Sequence, residues 1–120
     1  MNYSRFATSA TELELLTFFE VAPVFADPLR PWPYTDAVYQ ASRGDDVLEV
    51  AISPADFDIR ISSRRDGRTI YELSATAVED VKYLLDGGRE TLEVCLTSRD
   101  RLFIRLKPDI SIIQSLERPF

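Results

Sequence analysis

The sequence predicts an α+β fold: one N-terminal helix packed on a strongly curved antiparallel β-meander of six to eight strands, a partial barrel being the limit of that curvature. Three observations carry it. Phe57, Ile59 and Ile61 alternate with Asp58, Arg60 and Ser62, the period of two that puts apolar groups on one face of a strand. Asp66-Gly67 then supplies a two-residue hairpin turn, whose two central positions both take positive φ. Upstream, Ser9-x-x-Glu12 and Thr11-x-x-Glu14 are overlapping capping boxes, each offering a hydroxyl to orphan amides while a carboxylate reaches back.

The elements follow in order along a single domain, residues 1–120. A helix over about 11–22 exposes Glu12, Thr17 and Glu20 and buries Leu15, Leu16, Phe18, Phe19 and Ala22. Pro23 ends it, and Val24-Phe25 continues as a buried turn. Residues 27–36 hold three prolines, too many for a helix interior or a central strand, and form an extended connection. Antiparallel strands then fill about 37–114. The first is 37–42, followed by a turn at 43–46 and a strand over 47–53 with Leu48, Val50 and Ile52 on one face. The Asp66-Gly67 hairpin comes next and returns through 69–75.

Residues 76–86 read two ways. Thr76-x-x-Glu79 resembles a helix start, but Val81, Tyr83 and Leu85 alternate and Gly87-Gly88 leads into 91–97 as a hairpin, so a strand is preferred. Residues 101–107 and 110–114 complete the meander. Its polar face carries Asp58, Arg60, Glu72, Glu93, Arg105 and Lys107 as a solvated lattice of opposite charges.

Composition removes several function classes. The net charge of −6 opposes sequence-independent binding to nucleic acid, which relies on Lys and Arg neutralising phosphates. Nowhere do about 18 apolar residues run together as a membrane span requires, and Met1–Phe6 has no apolar core of signal length, which together predict a cytoplasmic protein. One cysteine forbids an internal disulfide. The chain has no histidine, which rules out every Ser-His-Asp or Cys-His arrangement and every imidazole metal ligand. Cys95 lies mid-strand with no base beside it and reads as packing material. The carboxylate pairs Asp45-Asp46, Asp56/Asp58 and Glu79-Asp80 sit in or beside turns, where Asp serves backbone hydrogen bonding. No motif calls for a cofactor or metal, and none marks an enzyme.

What remains is recognition. Arg30, Trp32 and Tyr34, held extended by prolines, are residue types that dominate interface hot spots, the equal alternative being that Trp32 closes one end of the core. Arg64, Arg65 and Arg68 gather guanidiniums at a hairpin tip, where they can grip a partner's carboxylates or a phosphate, though the commoner reading of such a tip is a solubilising feature. These six residues are the candidate partner-binding set. The expected function is a small non-enzymatic protein that binds another protein or itself, an acidic neutraliser of a basic toxin or nuclease being one concrete form. Open edges at 110–114 or 37–42 would serve self-association. The alternative is a carrier or carboxylate-dependent enzyme with its ligand inside the curved sheet, lined by Phe18, Phe19, Tyr71 or Tyr83.

Overall fold

The computed structural model describes residues 8–115. Helix α1 spans Glu12–Phe19, and the expected box closes its N-terminus: Glu14 N–H donates to Thr11 Oγ1 at 3.1 Å and Thr11 N–H to Glu14 Oε1 at 3.0 Å. The Ser9 box does not form. Ser9 instead donates from its amide and hydroxyl to the two carboxylate oxygens of Asp80, both at 2.7 Å, tying the chain ahead of the helix to a distant strand. The helix also stops sooner than expected. Glu20 turns left-handed at φ 60 and sends its N–H to Leu16 O, so the last turn is capped before Pro23 acts. Val24–Phe25 is then not a buried turn but a short strand, β1, pairing with Ala37 and Val38.

Four further strands extend this first sheet: β2 (Ala37–Arg43), β3 (Asp46–Ser53), β4 (Asp58–Arg65) and β5 (Arg68–Ala75), in the order β1-β2-β3-β4-β5. Asp66 and Gly67 take φ of 52 and 77, the positive pair that a type I′ connection demands. The edge role expected of 37–42 is only partly met, because β1 covers Ala37 and Val38.

The expected continuous meander breaks after β5. Val78 N–H donates to Phe57 O and Glu79 N–H to Cys95 O, while Ala77 takes φ 56, so 76–79 turns the chain out of the first sheet and into a second. The strand reading of 80–86 holds. Strands β6 (Asp80–Asp86), β7 (Arg89–Cys95), β8 (Arg101–Arg105) and β9 (Ser111–Ser115) form that second sheet in sequence order. The described residues therefore hold nine antiparallel strands in two sheets, an α+β arrangement and not a closed barrel.

One hydrophobic cluster joins them. Tyr39, Leu48, Val50, Ile59 and Ile61 from the first sheet meet Val81, Leu92, Val94, Leu102 and Ile104 from the second, with Leu15, Phe18 and Phe19 of α1 wedged in at one side. The helix packs on β2, β6 and β7, and so lies across the flank those strands form. The two outer faces differ. The register puts Thr91, Glu93, Cys95 and Phe103 opposite the core, yet all are buried. Glu93 and Arg105 thus stand on a different sheet from Asp58, Arg60 and Glu72, and Lys107 lies past β8, so the single solvated lattice expected from the sequence does not exist.

Candidate partner-binding surfaces

Three surface regions carry the candidate residues. In the Pro-rich connection, Asp27 organises the backbone: its N–H donates to Thr35 Oγ1 at 2.9 Å and its Oδ1 accepts from Leu29 N–H at 3.0 Å. Arg30 is exposed, Leu29 is 93% exposed and Tyr34 46%. Trp32 is half-buried against the core and, with Pro33, faces Thr8–Leu13 across a groove of about 440 Å³. The segment is both core lid and surface.

The arginines lie at the far end of the first sheet. Strands β4 and β5 run their full length between the two regions, about 23 Å at roughly 3.3 Å per residue, so the six residues form two sets. At the tip, Arg65 straddles Asp46, with Nε at 2.7 Å from Oδ1 and Nη2 at 3.4 Å from Oδ2. That hydrogen bond holds the Asp46 carboxyl below its usual range and raises the guanidinium's pKa. Asp66 N–H also donates to Asp45 O, bringing a second hairpin tip with its two carboxylates alongside. The tip is a mixed-charge cluster. Arg64 and Arg68 make no ion pair among the described residues.

The third region is the outer face of the first sheet. The ladders place Gln40, Glu49, Ser62 and Glu72 in one row, and Val38, Ala51, Arg60 and Ser74 in the next. The small side chains at Ala51, Ser62 and Ser74 leave a groove of about 340 Å³, with Arg64 at one end. Arg60 pairs with Asp36 at 3.3 Å. Glu49, Asp58 and Glu72 have no ion-pair partner among the described residues. This face is therefore wet and acidic in excess.

Chemistry of other kinds finds little here. Among the described residues no group of three or more carboxylate, Cys or His ligands could hold a metal. Burial first, then the charge of Glu93, pushes the Cys95 thiol up, away from the thiolate a nucleophile needs. Glu93 itself is 0% exposed, with Oε2 at 2.9 Å from Arg101 Nε. The N–H is not aimed along that line, so the contact is one of charge rather than a hydrogen bond.

Of the aromatic residues expected to line a ligand cavity, Phe18, Phe19 and Tyr83 pack together, while Tyr83 also borders a groove of about 450 Å³ with Leu84, Arg89 and Arg105, and Tyr71 stands apart on β5. Phe18 and Phe19 meet edge to face at 5.0 Å, Phe18 reaches Tyr83 at 6.5 Å, and Phe19 stacks on Tyr39 at 4.5 Å. Tyr83 donates its hydroxyl to Glu90 at 2.6 Å, and that bond, with burial, pushes it up to about 12. No helix among the described residues is long and apolar enough to cross a membrane.

Among solved structures, the chain is similar to one in the contact-dependent growth inhibition toxin–immunity protein complex from Klebsiella pneumoniae 342. The TM-score is 0.75 at 23% identity, over 92% of this chain and 97% of that one, a likeness of fold. No family model matches the chain, and no curated protein matches it.

Proposed function

We propose that this chain is a small acidic antagonist that binds one protein partner and holds it inactive. The observation that carries the reading is its likeness, over nearly the full length of both chains, to a chain from a toxin–immunity protein complex. Of the two roles in such a complex, the neutralising one fits this molecule. Its net charge is −6, it has no histidine, and its wet sheet face carries unpaired carboxylates, which suits occlusion of a basic surface better than catalysis. Self-association through an open sheet edge is a second form of the same reading. Arg30, Trp32 and Tyr34 at one end of the first sheet, and Arg64, Arg65 and Arg68 at the other, would border the contact.

Native mass spectrometry of the protein purified from its own cells tests this. A stoichiometric second protein, or a homodimer, is the expected result. A monomer that retains a small molecule up to high collision energy overturns it in favour of a carrier. With a partner in hand, Tyr34→Ala and Arg68→Ala should each weaken the complex by about 1–2 kcal/mol in Kd and leave the thermal midpoint in place, as interface residues do.

A further inference from the structure

Resting on that reading, we infer that the partner docks by adding an extended strand to β5, with Lys or Arg at the strand's outward-facing positions. β5 is an outermost strand eight residues long, and its other edge receives no backbone or side-chain bond among the described residues. Such an edge presents a row of unpaired N–H and C=O groups, the template for strand addition.

The side chains along it are unfinished in the same sense. Tyr71, Leu73 and Ala75 point inward, opposite Ser63, Ile61 and Ile59, and pack on the core, yet each keeps part of its surface in water. Ile70, displaced where the register shifts, is 54% exposed. The edge of the second sheet lies nearby. Gln114 of β9 donates to Asp100, and Asp100 is close enough to Tyr71 for its charge to reach that hydroxyl. No helix among the described residues covers this side, because α1 sits on β2, β6 and β7. An added strand with apolar residues facing inward would finish the row.

Charge selects the occupant. Glu72 faces outward from β5 with Ser62 and then Glu49 in the same row, and although Arg60 and Arg64 stand diagonally on β4, neither pairs with it, so a residue opposite Glu72 on an incoming strand meets a carboxylate that makes no ion pair among the described residues. A second copy of this chain would bring −6 against −6 and another Glu72. β9 offers a shorter edge of five residues.

Amide hydrogen exchange on the full chain tests the inference with a blocked eight-residue peptide of alternating valine and lysine. Exchange across Arg68–Ala75 should slow by about tenfold, as for amides newly paired in a ladder. An alternating valine–glutamate peptide should leave it unchanged, and Glu72→Lys should abolish the slowing while the thermal midpoint stays in place. Unchanged exchange at 68–75, equal slowing by both peptides, or protection at 111–115 instead overturns the proposal. Protection of 68–75 that grows with protein concentration alone would put a second copy there and also overturn it. A partner found by mass spectrometry whose complex leaves 68–75 exchanging at the free rate sinks the docking mode while the antagonist reading stands. Peptide protection in a protein that has no partner sinks the antagonist reading and leaves the edge as a strand acceptor.

Discussion

On one flank of the molecule, α1 drives Leu15, Phe18 and Phe19 between the β2 and β6 sides until each is 1% exposed or less. On the other flank, Tyr71, Leu73 and Ala75 reach the same core from β5, as Ile112 does from β9, yet all stay partly wet. The sheets end on both sides, and an uncovered sheet end invites pairing with another chain. Covering one end with a helix and leaving the other bare divides the molecule into a side committed to folding and a side available for contact. Ion pairs also lace the helix flank. Glu20, at the end of α1, binds Lys107 at 2.9 Å and Arg43 at 3.5 Å, which laces the helix to both sheets.

Substitutions on the two flanks should therefore differ in size. Phe19→Ala removes a ring packed against Phe18 and Tyr39 and should cost about 3–5 kcal/mol in urea denaturation, enough to unfold a large fraction of the protein. A loss below about 1 kcal/mol would mean the helix is a loose cover and the contrast is false. Leu73→Ala on the open flank should cost about 1–2 kcal/mol, because part of that side chain is already in water. A loss matching that of Phe19→Ala would make the flanks equivalent.

The smallest effect is electrostatic. The Lys107 hydrogen bond holds the Glu20 carboxyl below its ordinary 4.5. A depressed folded value stabilises the fold above the unfolded pKa, and that contribution is lost as pH falls through the folded one. Between about pH 6 and about pH 3 the wild type should lose slightly more stability than Glu20→Gln, read as a shift in urea midpoint. Equal slopes would show that the lacing of the closed flank is geometric only.

Much of this was written locally in the chain. Thr11 and Glu14 bond each other across three residues, and Asp66-Gly67 needs only its own two dihedral pairs, so both could be read without knowing the fold. Period-two alternation marks β3, β4, β6, β7 and β8 for the same reason, and the turns between them mark the rest. The helix end was hidden, because Pro23 looked decisive while Glu20 had already capped the last turn. The split into two sheets was hidden as well. It turns on Val78 bonding Phe57, a partner 21 positions back that no local pattern names.

Alternation along β7 predicts a wet Glu93, yet the side chain is buried. The signal to the contrary was Phe103, an apolar group among the polar positions of β8 and directly opposite Glu93. Asp46, the partner of Arg65 at the tip, lies 19 residues earlier in the chain, where no local pattern links the two. The open β5 edge could not be read at all, since it exists only because β6 pairs elsewhere.

Within each sheet every strand lies beside its neighbour in sequence, so the ladders are local, and the first sheet needs nothing from the second to pair. On the ribosome β1 to β5 emerge before β6 exists, by an interval on the order of seconds. During that interval α1 has β2 to lie on but neither β6 nor β7, so the apolar side of the nascent sheet stays half-roofed. Completion of the second sheet then adds β6 and β7 to the surface the helix packs on, and Val78, bonded to Phe57, stands where the chain passes from one sheet to the other.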